Sequence, residues 1–190
     1  MFFRPSPLDA PELWALDLET TGLDPRSDEV LSIGMVPIRQ RVIRWGERWY
    51  QLVRPARLRR LSEESIRIHY ILPEDLEQAP PIEEVLSEMA DRLEEGPLLV
   101  HHQALDVAVL KRVFREHGQA WPRPKVVDTQ RLLGRLDHRL RQIHPSAEPI
   151  PADLSAARAT LGLPPHEEHH ALYDALATAE LFLALRCRLR

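Results

Sequence analysis

Two carboxylates lie two residues apart near the start of the chain, inside an apolar stretch. Asp17 and Glu19 alternate with Leu16 and Leu18, and a turn follows at Gly22. Alternate residues of a β-strand point to the same face, so the two acids face the same way. Two like charges about 4 Å apart repel each other by about 4 kcal/mol at an effective dielectric near 20. The pair therefore predicts a cation between the carboxylates, and hard oxygen ligands favour Mg²⁺ or Mn²⁺.

Two further acids occupy positions that are suited to a site. Asp106 lies in the first turns of a predicted helix, just after a short apolar segment that ends at Val100. In α/β sheets, sites are built at such strand-to-helix corners. Asp174 shares a helix face with Ala171 and Ala175, whose small side chains allow another backbone to come close. Taken alone, Asp106 is equally explained by the helix dipole, and Asp174 by simple exposure.

Three histidines lie within the eight residues before Asp174, namely His166, His169 and His170. His169 lies five residues before it, about 140° away around a helix, so a shared site requires His169 to lie in the loop before that helix. Residues 166–170 also fit the HExxH pattern of zinc proteases, which needs the motif inside a helix and a third ligand downstream. Two prolines precede the segment, and Glu180 and Cys187 are the only obvious later ligands. The zinc-protease interpretation is therefore disfavoured.

The apolar patterning predicts a single domain over residues 1–190, with its core between about 13 and 187. Strands are expected at 13–18, 29–38, about 42–53, 98–100 and 125–127, the second and third forming a hairpin. Helices are expected at 82–95, 104–117, 130–137, 153–161 and 171–187, with irregular structure at 61–81 and a polar loop at 138–151. Hairpin strands followed by alternating strands and helices predict an α/β fold with a mixed sheet.

Composition narrows the class of protein. The net charge of -4 gives no global attraction for nucleic acid. The single cysteine, Cys187, excludes an internal disulfide and fits a reducing compartment. No apolar run reaches the roughly 18 residues of a membrane span, and residues 1–7 are too short for a secretory signal. A cytoplasmic location without membrane association is therefore expected.

Arginines cluster in two places. The clusters consist of Arg54, Arg57, Arg59 and Arg60, and of Arg131, Arg135, Arg139 and Arg141. Clusters of this kind serve either as solvated surface or as contacts to phosphates, and the sequence favours the first.

Three segments together resemble the motifs of the DEDDh 3′–5′ exonucleases, the DnaQ-like group that includes the proofreading subunit of bacterial DNA polymerase III. The motifs are Asp17-Leu-Glu19-Thr-Thr-Gly, His-His-Gln-Ala-Leu-Asp106 and His169-His-Ala-Leu-Tyr-Asp174-Ala, and the likeness extends from about residue 13 to 185. The resemblance implies a ribonuclease H-like α/β fold, with a mixed five-stranded sheet flanked by helices.

The resemblance also implies residue roles. Two divalent metal ions, Mg²⁺ or Mn²⁺, would be held by four carboxylates, and His169 would act as the general base. The metal ligands would be Asp17, Glu19, Asp106 and Asp174. The pocket for the 3′-terminal nucleotide would be lined by Thr20, Leu23, His69 and Leu105.

The expected reaction is hydrolysis of terminal phosphodiester bonds of single-stranded DNA, releasing nucleoside 5′-monophosphates. An RNA-directed enzyme, similar to oligoribonucleases or RNase T, is the closest alternative. Oligoribonucleases usually have Glu-Met-Thr-Gly in the first motif, whereas Glu19 is followed here by Thr20, Thr21 and Gly22, which favours DNA. A non-catalytic nucleic-acid-binding module is disfavoured because the four acids and the histidine are all present.

Two departures from the family pattern bear on partners and on the second motif. His102 stands where the family commonly has Asn, which alters the hydrogen bonding expected there. Only 16 residues follow Asp174, so the sequence does not support a stable association with a DNA polymerase. Proofreading, DNA repair and nucleotide salvage all remain open as roles.

Overall fold

The computed structural model describes residues 7–56 and 61–189. Its strands are β1 (Glu12–Thr20), β2 (Val30–Arg39), β3 (Val42–Ile43), β4 (Trp49–Leu52), β5 (Leu98–Val100) and β6 (Val126–Asp128). Its helices are α1 (Glu63–His69), α2 (Pro73–Glu77), α3 (Ile82–Glu95), α4 (Gln103–Glu116), α5 (Thr129–Ile143), α6 (Leu154–Thr160) and α7 (Ala171–Leu189).

The strands form one mixed sheet in the order β3-β2-β1-β5-β6, and β4 pairs with β2 on the same side as β3. β1 is antiparallel to β2 and parallel to β5, and β5 is parallel to β6. The predicted third strand is divided in two by a 3₁₀ turn at Trp45–Glu47. Because both pieces pair with β2, the sheet has five strand positions, which confirms the expected ribonuclease H-like arrangement.

Helices cover both faces of the sheet. Leu16 and Leu18 of β1 pack with α3 and α4, while Leu13 and Ala15 pack with α5, α6 and α7. The alternation of side chains along β1 therefore places Asp17 and Glu19 on the α7 side. The first acidic pair thus faces the helix that carries Asp174.

α5 is longer than the sequence predicted. The prediction of a loop over 138–151 was wrong in its first part, because the helix continues to Ile143. Leu132 and Leu136 are buried, and Leu140 extends the same stripe one turn further. The polar residues that indicated a loop form the exposed face of this helix.

The second arginine cluster, Arg131, Arg135, Arg139 and Arg141, lies on the exposed face of α5. Of the first cluster, Arg54 is exposed after β4, whereas Arg57, Arg59 and Arg60 lie outside the described residues. Within the part of the chain that the structure describes, no helix has the length and apolarity to cross a bilayer.

Candidate active site

The acidic residues converge because the parallel strands β1, β5 and β6 end at the same edge of the sheet. Asp17 and Glu19 lie near the carboxyl end of β1, and Asp128 is the last residue of β6. Asp106 lies in the first turn of α4, which begins three residues after β5. Sites in α/β folds are commonly built at this edge.

A glycine in β2 brings the fourth acid to the same place. Gly34 pairs with Asp17, and a Cβ built on Gly34 would lie 2.2 Å from the backbone C and O atoms of Ala171. The start of α7 therefore rests directly on the sheet, and Asp174 follows less than one turn later. One carboxylate oxygen from each of Asp17, Glu19 and Asp174 lies within 4.8 Å of the other two.

The cluster is electrostatically frustrated without a cation. Burial raises the pKa of Asp17 well above its usual range, and the charges of Asp106, Asp174 and Glu19 raise it further. Burial, with the charges of Asp174 and Asp106, raises the pKa of Glu19 to about 8. Burial also raises the pKa of Asp106 to about 7. The atoms that would bind a metal are all hard carboxylate oxygens, so the residues present fit divalent ions such as Mg²⁺ or Mn²⁺.

The loop before α7 wraps around Asp174. The backbone N–H of His169 donates to Asp174 Oδ2 over 2.8 Å, and the exposed His169 adopts a left-handed conformation with φ 61°. The second carboxylate oxygen, Oδ1, lies 2.8 Å from His166 Nε2. His169 therefore lies in the loop, as the sequence predicted, and its imidazole is open to solvent. Because α7 begins at Ala171, residues 166–170 are not helical, which is inconsistent with the zinc-protease pattern.

Sequence reasoning missed the contact between His166 and Asp174. The side chain of His166 is only 10% exposed, and it is the imidazole that touches the acidic cluster directly. Its one sequence signal was the HExxH pattern, which points to a different chemistry.

A buried arginine anchors the same loop. Arg158 of α6 is 2% exposed, and its guanidinium donates to the carbonyl oxygens of Ala177 (2.7 Å) and Pro164 (2.9 Å). It also forms an ion pair with Glu180 at 2.7 Å. The Arg158 side chain therefore holds α6 and α7 to the beginning of the loop at residues 164–170, which we call the histidine loop.

Comparison with known proteins decides the family. An exonuclease family model, that of RNase T, matches residues 14–182, which includes all four acids and His169. The chain belongs to this exonuclease family.

Relatives of this chain include bacterial DNA polymerase III proteins. It is 36% identical over 169 residues to the PolC-type DNA polymerase III of Thermotoga maritima, a match that covers 88% of this chain and 11% of the polymerase. It is 33% identical over 182 residues to a DNA polymerase III subunit epsilon-like protein of Rhodobacter capsulatus, covering 95% of this chain and 24% of that protein. The exonuclease thus spans about a tenth to a quarter of the length of these relatives.

Solved structures share the fold. The nuclease domain of 3′hExo, a DEDDh family member bound to rAMP, superposes with a TM-score of 0.74 at 17% identity, covering 92% of this chain and 91% of that one. E. coli exonuclease I in complex with a dT13 oligonucleotide gives a TM-score of 0.74 at 17% identity, covering 93% and 41% of the two chains. These similarities confirm the ribonuclease H-like architecture.

The second motif of the exonuclease is organised by its backbone. His102 is exposed and left-handed, with φ 73°, a conformation in which Asn and His are both enriched among non-glycine residues. Its backbone N–H donates to Asp128 Oδ1, and that of Gln103 donates to Asp128 Oδ2, both over 3.2 Å. The described contact of His102 with Asp128 is thus made by its main chain and not by its ring, while the ring of His101 lies 2.7 Å from Thr129 Oγ1.

Asp128 is a second residue that sequence reasoning missed as part of the site. It is buried, it also accepts from the backbone N–H of Gln130 over 2.9 Å, and its charge contributes to the raised pKa of Asp106. In the sequence it stands just before the helix predicted at 130–137. Asp128 therefore joins the start of α4 to the start of α5 beneath the acidic cluster.

The predicted substrate-pocket residues occupy different environments. Leu23 is 82% exposed at the tip of the loop after β1, and the Thr20 hydroxyl donates to the Gly22 carbonyl over 2.6 Å. Leu105 is half-buried at the start of α4.

His69, the fourth predicted pocket residue, is 5% exposed and both of its ring nitrogens are engaged. Nδ1 accepts from the backbone N–H of Ile71 over 3.0 Å, and Nε2 lies 2.7 Å from Ser65 Oγ. The pKa of His69 is lowered by burial and by the charge of His169. The ring of His69 therefore braces the turn after α1.

Proposed function

We propose that the exonuclease removes nucleotides one at a time from the 3′ end of single-stranded DNA, releasing nucleoside 5′-monophosphates. The observation that carries this proposal is the convergence of Asp17, Glu19 and Asp174, with Asp106 beside them, at one edge of the sheet. Asp106 is buried and the other three carboxylates are half-buried, and bound cations would remove the repulsion among them at neutral pH.

Two divalent ions, when bound, would make a water molecule more acidic and stabilise charge on the leaving 3′ oxygen. Asp17, Glu19, Asp106 and Asp174 would hold them, and this binding removes the mutual repulsion of the carboxylates. The His169 side chain is exposed beside Asp174, where its imidazole can accept a proton from the attacking water. The backbone bond from His169 to Asp174 keeps the base beside a metal ligand.

The 3′ polarity follows from a pocket that accepts a terminal nucleotide. Leu23 projects from the loop after β1, and Thr20, Leu105 and His69 lie along the rim of the acidic cluster in this proposal. An unpaired 3′ end enters such a pocket more easily than a paired one, because its base is free to leave the stack.

DNA is the preferred substrate in this proposal because the PolC-type and epsilon-like relatives are DNA polymerase III proteins. RNA is the second candidate, favoured by the structural similarity to a 3′-exonuclease that recognises the 3′ end of a histone mRNA stem-loop. The PolC-type and epsilon-like relatives also support a cytoplasmic location and an association with a DNA polymerase as parts of the proposal.

The test is a degradation assay with matched DNA and RNA oligonucleotides, single- and double-stranded, in Mg²⁺, Mn²⁺ or chelator. We expect metal-dependent release of mononucleotides, fastest from single-stranded DNA. Faster degradation of RNA would replace the first candidate by the second. Binding without hydrolysis in either metal would contradict the proposed activity.

A further inference from the structure

A row of aromatic side chains extends away from the acidic cluster. The ring of Tyr50 stacks on that of His170 with centroids 4.8 Å apart, and His170 lies 4.7 Å from Tyr173. Tyr173 faces Trp45 at 6.3 Å with the ring planes 18° apart, and the Arg48 guanidinium lies 4.6 Å from the Trp45 ring centroid. We name Tyr50, His170, Tyr173, Trp45 and Arg48 the aromatic row.

The row begins at the catalytic residues proposed above. His170 directly follows His169, and Tyr173 directly precedes Asp174. A strand whose 3′ end lies at the acidic cluster therefore has the aromatic row within reach of its next nucleotides.

The outer end of the row is open to solvent. Trp45 is 37% exposed, whereas Trp14 and Trp49 are 4% and 8% exposed, and the 3₁₀ turn that carries Trp45 contains no buried residue. Trp45 therefore contributes little to the hydrophobic core, and its ring is positioned by Tyr173 and Arg48 on the surface.

The charge around the open end is positive. Arg48 and Arg44 are exposed on the two sides of Trp45, and neither forms an ion pair among the described residues. The acid of this turn, Glu47, is already paired with Arg39 at 2.8 Å. An exposed indole ring flanked by two arginines that form no ion pair among the described residues fits a polyanion that carries planar bases.

We propose that the aromatic row binds the bases of a single strand upstream of the 3′-terminal nucleotide, with Trp45 and Arg48 as the stacking surface and Arg44 as a phosphate contact. This inference rests on the proposed function, since it assigns to the same strand a second binding site. Every base has a π-face, so the surface would select single strands without selecting sequence. Arginine planes also stack on bases, so Arg48 extends the surface beyond the indole.

The experiment compares Trp45→Ala with the matched variant Trp45→Phe, using a thymidine dinucleotide, which has one nucleotide upstream of the 3′-terminal one, and a thymidine dodecanucleotide as substrates. Loss of one stacked base corresponds to about tenfold weaker binding. Because Trp45 lies at the outer end of the row, we expect Trp45→Ala to raise KM for the dodecanucleotide about tenfold and to leave kcat and the KM for the dinucleotide unchanged. Trp45→Phe should keep most of the wild-type KM. A second readout is fluorescence anisotropy of a labelled dodecanucleotide in chelator, where hydrolysis is prevented.

The outcomes separate the two proposals. An unchanged KM and anisotropy in Trp45→Ala, with the wild type active, would overturn the aromatic row and leave the exonuclease assignment intact. An equal loss on both substrate lengths would also overturn it, because Trp45 would then act through the catalytic site or the fold. A wild type that neither binds nor hydrolyses either oligonucleotide would refute the proposed function and this inference together.

Discussion

Replacing Gly34 by alanine should separate the two halves of the acidic cluster. The added Cβ would lie 2.2 Å from the backbone C and O atoms of Ala171 and 2.3 Å from the backbone N of Leu172. Ordinary van der Waals contact begins at 3.4 Å, so the start of α7 must move away by about 1 Å. Backbone atoms cannot escape by changing rotamer, and Asp174 must therefore move with the helix, away from Asp17.

The size of the effect follows from the displacement. Overpacking of a well-filled core costs about 1–3 kcal/mol, and a backbone contact belongs at the upper end of that range. For a chain of this length, about 3 kcal/mol lowers Tm by roughly 6–12 °C. A displacement of about 1 Å in a catalytic constellation costs about 10²-fold in rate. Metal affinity should fall as well, because Asp174 leaves the other ligands.

The assay combines a thermal scan, calorimetric titration with Mn²⁺ and initial rates on single-stranded DNA. Gly134→Ala is the matched control, since a Cβ on Gly134 meets nothing within 4 Å and the residue lies in a helix. That control should be stabilised by about 0.5–1 kcal/mol and remain fully active. If Gly34→Ala bound Mn²⁺ and hydrolysed DNA like the wild type, the contact with Ala171 would not position Asp174.

Three other perturbations test separate parts of the site. The raised pKa of Glu19 means that the folded chain holds a proton between about pH 4.5 and about 8 that the unfolded chain releases, so the metal-free protein should lose stability as pH rises through this window. Saturating Mg²⁺ or Mn²⁺ should reduce that loss, adding about 2.7 kcal/mol at 100 times Kd; a Tm in chelator that rises across the window would contradict this. His169→Ala should slow turnover while calorimetry shows metal binding intact, whereas His166→Ala should weaken metal affinity about tenfold because its ring orients a ligand; the reverse pattern would exchange their roles. Arg158→Met should destabilise the fold by about 3 kcal/mol in urea unfolding, because it leaves Glu180 and two carbonyls without their buried donor; an unchanged unfolding midpoint would refute that anchor.

Much of the fold could be predicted because local signals agreed with the final packing. α3 spans the predicted residues, Ile82–Glu95, and β5 occupies the predicted residues 98–100. α5 was predicted too short because its exposed face, with His138 and Arg139, has the composition of a loop. Residues 138–143 are all exposed, and they are helical because the backbone hydrogen bonding of α5 continues through them, with the N–H of His144 donating to the Leu140 carbonyl.

The ligand set could be proposed from spacing and resemblance, but its organisation could not. The alternation of side chains along one strand is a local property, so the sequence predicts that Asp17 and Glu19 share a face. The contact of Gly34 with Ala171 and the backbone contacts of Asp128 with His102 and Gln103 join segments that are far apart in sequence, so no local pattern predicts them. His166 was hidden because contact with Asp174 depends on how the loop folds.

The most direct test of the central claim is a time course on a 5′-labelled single-stranded DNA with wild type and Asp17→Ala, in Mn²⁺ and in chelator. We expect the wild type in Mn²⁺ to give a ladder of products shortened stepwise from the 3′ end, and no hydrolysis by Asp17→Ala or in chelator. Near wild-type activity of Asp17→Ala, or internal cleavage in place of the ladder, would contradict it.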